Sequence, residues 1–209
     1  MAINLRKGQT INLRKEDNDL SKITIGLGWK VRQKGGLLGM FGGKEPEYDL
    51  DAVALLLDEN DKIKNIGGVN LIGSDVIFYH NLKHPTGLVY HSGDNIVGGT
   101  GESDDEQIVV HLSSLPQDYH RIMFVVSIYQ GITKKQNFGM IDNAYIRAVD
   151  GNGKEIFRYS LDSDPTYQGK CTMVFGDVRR DGRSWKFSAV GDAYPTDSFV
   201  HIAQNHLYT

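Results

Sequence analysis

Cysteine is almost absent from this chain. The lone Cys171 excludes an internal disulfide and a cysteine-rich zinc site, and its expected role is that of a small buried apolar residue. Charge of one sign is not in excess either. The chain has 23 Lys and Arg against 26 Asp and Glu, a formal charge of −3, whereas general nucleic-acid binding calls for a basic surplus. Long hydrophobic runs are missing, so no membrane span is expected. The opening Met1-Ala2-Ile3-Asn4-Leu5 runs into charge before it can form the apolar stretch of a secretory signal. The default expectation is a soluble cytoplasmic protein. Catalytic signatures are missing too. There is no G-x-S-x-G elbow, and the seven scattered histidines include no H-E-x-x-H, which argues against zinc catalysis. The glycine-rich segment Lys34–Lys44 is no phosphate-binding P-loop, because Leu38 stands where its first glycine belongs and Glu45 follows Gly43-Lys44. His80 and His84 fall in strand and loop and need not share a face. Arg179, Arg180 and Arg183 read as a solvated turn.

What is present is period-two alternation. Ile23, Ile25, Leu27 and Trp29 mark one face of a strand, and Leu50–Leu57 is so continuously apolar that it reads as a strand buried on both faces. Further strands are expected at Val76–Tyr79, Gln107–Leu112, Ile122–Tyr129, Ala144–Val149, Glu155–Leu161, Thr172–Val178 and Trp185–Val190. Asp150-Gly151-Asn152-Gly153 and Asp181-Gly182 supply hairpin turns between neighbours. The pentapeptide Ile-Asn-Leu-Arg-Lys occurs at Ile3–Lys7 and again at Ile11–Lys15, and two such strands around Gly8-Gln9-Thr10 suggest another hairpin. Helix signals are few: Phe199, Ile202, Ala203 and His206 follow helical spacing after Asp197, a good N-cap residue. The expected fold is therefore all-β, a single-domain β-sandwich over residues 1–209, with a short C-terminal helix and long acidic glycine-rich loops. A chain of this size buries roughly 70% of its unfolded surface without staples.

One stretch carries unusual chemistry. Between His91 and Glu106 the chain holds four glycines and five acidic side chains with no Lys or Arg. The three consecutive carboxylates at Asp104, Asp105 and Glu106 repel one another, so a folded loop here wants a cation. Hard divalent ions such as Ca²⁺ take carboxylate, amide and carbonyl oxygens, and glycines let the backbone turn its carbonyls toward such an ion. The loop is not an EF-hand, whose spacing is absent; without a metal it would be a long solvated turn. Asp49 and Asp51 are two apart at the start of the apolar strand. They share a face if that strand is regular, and then want a proton or cation between them; otherwise they are two solvated aspartates. A carboxylate pair also suits glycosidase chemistry, but nothing else in the chain supports that. Asp142 and Asn143, just before a strand, either give oxygens to the same ion or, as such a pair more often does, simply mark a helix or strand boundary. Leu37, Leu38, Met40 and Phe41 form an apolar segment too glycine-rich for a stable strand or helix, hence either a partner contact or a lid on the core.

Taken together these pieces resemble the tellurium-resistance TerD family, which includes proteins described as general stress proteins. The resemblance spans nearly the whole chain. It rests on Leu5-Arg6-Lys7-Gly8-Gln9-Thr10-Ile11-Asn12-Leu13, Gly26-Leu27-Gly28-Trp29, Asp49-Leu50-Asp51-Ala52, Ser92-Gly93-Asp94-Asn95, Asp104-Asp105-Glu106 and Asn143-Ala144-Tyr145-Ile146-Arg147, in that order. The family is a β-sandwich with two calcium ions in adjoining acidic loops. The resemblance therefore implies one or two Ca²⁺ held by Asp49, Asp51, Asp94, Asn95, Asp104, Asp105, Glu106 and Asn143, with backbone oxygens around Gly98. Three departures weaken a second site. Lys30 stands where the family has Asp, Val97-Gly98 where it has Thr-Gly, and Gly139 where it often has an acidic residue, a loss that Asp142 would offset. The implied function is non-catalytic: tellurite and stress resistance through calcium-dependent organisation of other resistance proteins, near the membrane, with Leu37–Phe41 as a contact patch. Two rivals remain. One is a calcium-assisted enzyme acting on a phosphate- or glycan-containing substrate, which requires an open cleft and a perturbed base. The other is a metal-free module whose acidic loops meet a basic partner.

Overall fold

A computed structural model describes residues 2–31, 48–93, 104–161 and 165–208. The strands are β1 (Ile3–Leu5), β2 (Thr10–Leu13), β3 (Ile23–Val31), β4 (Leu50–Leu57), β5 (Val76–Ile77), β6 (Val89–His91), β7 (Glu106–Val110), β8 (Arg121–Ile128), β9 (Ile141–Val149), β10 (Glu155–Ser160), β11 (Thr172–Asp181) and β12 (Ser184–Tyr194). Two short helices, α1 (Gly131–Lys134) and α2 (Val200–Gln204), complete the set. The strands form a β-sandwich of two six-stranded sheets, ordered β1-β10-β9-β3-β7-β6 and β2-β12-β11-β8-β4-β5.

The alternation seen in the sequence places the core between these sheets. Ile23, Ile25, Leu27 and Trp29 of β3 face Leu50, Ala52, Ala54 and Leu56 of β4 across it. Phe157 of β10 stacks on Phe187 of β12 with ring centroids 3.9 Å apart, tying one sheet to the other. Cys171 is buried in the same core, as expected. β4 is buried on both faces because its other face, Val53, Leu55 and Leu57, is covered by Phe199, Ile202 and Ala203 at α2. The hairpin turns at Asp150–Gly153 and Asp181-Gly182 join antiparallel neighbours, and Gly153 and Gly182 take the positive φ those turns require.

Two local expectations are corrected. β1 and β2 are not a hairpin: β1 runs parallel to β10 in one sheet, and β2 runs antiparallel to β12 in the other. Gly8, at φ +82°, turns the chain across the open side of the sandwich, so Leu5 and Leu13 both enter the shared core while each strand completes the edge of a different sheet. Asp197 is not the N-cap of α2. Its carboxylate accepts from the backbone N–H of Ile132 at 3.2 Å, and Phe199 holds the cap position without a side-chain hydrogen bond. β6 was not foreseen. Its three residues are too short to show a period.

Candidate metal centre

Antiparallel pairing gathers the acidic segments at one end of the sandwich. Leu27 near the end of β3 is registered with Glu106 at the start of β7, and Lys30 with Asp142 at the start of β9. β6 leads out of the same end beside β7. The start of β4 is joined to this rim by a buried bond across the sheets: Glu106 Oε2 accepts from Ala52 N–H at 2.6 Å. The reason lies in the ladder. The N–H groups of alternate β4 residues point away from β8, and the two residues of β5 pair only with Ala54 and Leu55. Ala52 N–H is left beyond the reach of β5, and Glu106, 1% exposed, reaches it from the facing sheet. His91 at the end of β6 backs that carboxylate, with Nε2 3.3 Å from Oε2. Its Nδ1 accepts from Gly93 N–H at 3.0 Å.

The three consecutive carboxylates serve three different neighbours. Asp105 accepts from Trp29 N–H through Oδ2 at 3.0 Å, and its own N–H donates to Leu27 O. Asp104 turns to the outer face of the first sheet, where Arg147 grips both its oxygens, Nε to Oδ1 at 2.7 Å and Nη2 to Oδ2 at 3.1 Å. The Tyr145 hydroxyl and the Gln107 amide donate to the same carboxylate at 3.1 Å each. The glycines of Gly26-Leu27-Gly28-Trp29 make room for this. A β-carbon on Gly26 would overlap the Asp104 carboxylate, and one on Gly28 would overlap the Tyr145 ring. Glu155 bridges Arg147 to Arg158, whose guanidinium lies 4.1 Å from the centre of the Tyr145 ring. Hydrogen bonds donated to Asp104 and Glu155 hold Arg147 firmly charged. Tyr145 is pushed above its ordinary range by burial and by the Asp104 charge.

The remaining expected ligands are distributed as follows. Asp49 is nearly buried just before β4, and its carbonyl accepts from Tyr129 N–H at 2.8 Å. Asp51 shares the outer-face alternation of Val53 and Leu55 and lines a cavity there with Ser127 and Tyr129. Asp51 and Asp104 thus lie over opposite outer faces of the sandwich and are not brought together. Asp94, Asn95 and Gly98 lie outside the described residues, as do the side chains of Asp142 and Asn143 and the segment Leu37, Leu38, Met40, Phe41. Among the described residues no cluster of three or more His, Cys, Asp and Glu forms a metal shell. The described donors nonetheless suit a hard cation in kind, because Asp105 and Glu106 stand at the rim to which β6 leads, with the backbone of Asp49 at the adjoining entrance to β4. Calcium takes six to eight oxygens, so these residues supply at most part of a shell.

Sequence reasoning missed a second buried polar group. His84 Nε2 lies 3.1 Å from Asp75 Oδ1, and the Tyr119 hydroxyl donates to the same oxygen at 3.0 Å. Asp75 Oδ2 accepts from the backbone N–H groups of Lys64 and Asn65, and Thr86 closes on His84 Nδ1 at 2.7 Å. Burial, followed by the Asp75 charge, raises the Tyr119 phenol far above its ordinary value. No local motif announces this group, because its members are far apart in the chain.

Comparison with known proteins bears on the whole chain. The TerD domain model matches residues 1–206. The chain is 42% identical to tellurium resistance protein TerX of Serratia marcescens, covering 99% of this chain and 100% of that protein. It is 41% identical to stress response protein SCP2 of Bacillus subtilis, covering 92% of each. The crystal structure of a Streptomyces coelicolor homologue of telluride resistance protein TerD superposes with a TM-score of 0.62 at 15% identity, covering 90% of this chain and 99% of that one. At that identity the likeness speaks for the fold alone.

Proposed function

The chain belongs to the TerD domain family, and we propose that it is a non-catalytic calcium-binding protein of the tellurium- and stress-resistance type. The observation that carries this reading is the convergence of the acidic segments on one end of the sandwich, with the buried Glu106 carboxylate joining the two sheets there through Ala52 N–H. Asp49, Asp105 and Glu106 are the described residues that would hold the ion, with Asp94, Asn95 and Gly98 completing the shell and Asp142 and Asn143 as further donors. Bound calcium supplies charge neutralisation and a tie between segments far apart in sequence, which stabilises the folded chain by linkage. Asp104 acts differently, fixing the root of the acidic loop to the outer face through Arg147. The His91 ring lies behind Glu106.

Calcium binding would order the acidic end and present it to other resistance proteins. Leu37, Leu38, Met40 and Phe41, in the segment joining β3 to β4, are the proposed contact patch. The rival catalytic reading needs a base that opens on a cleft. The His84–Asp75 pair has side chains only 1% and 0% exposed and lends that reading no support. Among the described residues no helix is long and apolar enough to cross a membrane.

Isothermal titration of metal-stripped protein tests the proposal. Calcium is expected to release heat and raise the melting temperature, and Asp105→Asn with Glu106→Gln is expected to remove both effects. Absence of calcium heat at about millimolar metal, the weak end of calcium sites, would reject it.

A further inference from the structure

A cavity of about 510 Å³ opens on the outer face of the second sheet. Its floor is built by β4 and β8, which place Asp51 and Ser127 opposite one another in register. Ser127, 2% exposed, is anchored by a 3.0 Å hydrogen bond to Thr172. Aromatic rings wall it. Phe78 and Phe199 pack 5.1 Å apart between ring centres, and Tyr79 meets His80 at 4.3 Å. Tyr129, 41% exposed, stands at the rim. Asp197 closes the far side from the approach to α2, held by its bond from Ile132 N–H. The described lining thus carries two carboxylates, several aromatic faces and no lysine or arginine.

That combination selects a ligand class. The volume falls in the range of small-molecule sites, which are apolar pockets with a few placed polar groups. Aromatic faces attract cations through the ring quadrupole, and quaternary or primary ammonium groups are the ligands such walls bind best. Carboxylates repel anions and reward the same cations. Tyr129 already shows the preference: Lys134, which is not part of the lining, places its ammonium 5.1 Å from the ring centre. A metal ion would have no use for the rings, and an anion would be repelled by the carboxylates.

We propose that this cavity binds an organic cation, an ammonium or guanidinium group, between the Tyr129 ring and the Asp51 and Asp197 carboxylates. The group would come either from a free amine or from a lysine or arginine side chain of a partner protein.

The test is titration of the full chain, in chelator, with choline, agmatine and spermidine, with a short lysine- and arginine-containing peptide, and with 3,3-dimethylbutanol as the uncharged isostere of choline. At least one cation is expected to bind, and choline at least about tenfold more tightly than its isostere. Tyr129→Leu and Asp197→Asn are each expected to weaken the best cation about tenfold while melting as the parent does. The amide introduced by Asp197→Asn keeps an acceptor for Ile132 N–H, and Tyr129 is exposed, so both variants keep the fold. Tighter binding of the peptide would identify a partner side chain as the source, and tighter binding of the amines a free metabolite; both support the site. Absence of binding by every cation at about 10 mM, choline and its isostere binding alike with no other cation binding, or affinities unchanged in both variants would overturn it. Because the titration runs in chelator, its outcome does not depend on whether the acidic end holds calcium.

Discussion

Replacing Asp104 by Asn separates a structural carboxylate from a metal ligand. The Asp104 side chain is 1% exposed and its partner Arg147 only 25%, so the pair is largely shielded from water. Asp104 receives four hydrogen bonds, two from the guanidinium and one each from Tyr145 and Gln107. Asn has one oxygen and one NH₂. Whichever way the amide turns, the NH₂ faces donors, and at least one of the two guanidinium bonds is lost together with the charge. Removing one partner of a buried ion pair costs about 3–5 kcal/mol. Arg147 keeps Glu155 at 2.9 Å and some water, which puts the expected loss near the lower bound, about 3 kcal/mol. For a domain of this size that corresponds to a melting temperature lower by about 6–12 °C. Urea unfolding of Asp104→Asn, Arg147→Met and the double variant would show coupling of roughly 1–3 kcal/mol. The stabilisation given by calcium should survive in Asp104→Asn and vanish in Asp105→Asn with Glu106→Gln. The reasoning is refuted if Asp104→Asn unfolds as the parent does and loses its calcium response, for then Asp104 serves the ion and not Arg147.

Three further outcomes are expected. Arg158, then Arg147, hold the Glu155 carboxyl below its ordinary value of 4.5 against partial burial. A depressed folded value gives stability that is present above the unfolded value and lost as pH falls through the folded one. Glu155→Gln should therefore lower stability at neutral pH and flatten its decline below about pH 4.5, read by urea midpoints across that range. A steeper acid decline in the variant would contradict the assignment. Gly26→Ala should cost about 1–3 kcal/mol, since the added methyl meets Asp104, and an unchanged melting temperature would show that the carboxylate does not lie against β3. Burial, aided by the Asp197 charge, pushes the Cys171 thiol up. Labelling by a thiol reagent should appear only as the protein unfolds in denaturant, and rapid labelling of the folded chain would show that the thiol is open to direct chemistry with oxidants.

Most of the sandwich was legible because its signal is local. Strand by strand, alternation named the inward residues of β3, and the unbroken apolar run of β4 foretold a strand covered on both faces. What escaped was non-local. Whether Ile3–Leu5 and Thr10–Leu13 pair with one another or with opposite sheets depends on edges made by β10 and β12, more than a hundred residues away in the chain. The Asp75–His84–Tyr119 group escaped for the same reason. Helix α2 was legible from the spacing of Phe199, Ile202 and Ala203, while its cap was not, because Asp197 finds a stronger claim on it in Ile132 N–H.

The acidic run shows where electrostatic reasoning from sequence needs the pleat. Three adjacent carboxylates repel only if they point the same way. A regular strand would put Asp104 on the face of Glu106, two residues on, but β7 begins only at Glu106; Asp104, ahead of the pleat, turns to the outer face and finds its cation in the chain itself, at Arg147. Glu106 turns inward, where a buried carboxylate needs a strong donor and finds Ala52 N–H, with the His91 ring beside it. In the proposed site the charge left for an outside ion is that of Asp105 and Glu106 at the start of β7, joined by Asp49 before β4 in the facing sheet. An ion bound in that way would draw its ligands from both sheets, so calcium affinity should depend on the sheets keeping their relative position. A substitution that loosens β4 against β7, such as Ala52→Pro, which removes the N–H whose bond Glu106 accepts, should weaken calcium even though no ligand is replaced. If it unfolds the chain no further yet leaves calcium affinity as it was, the ion is held within one loop and does not bridge the sandwich.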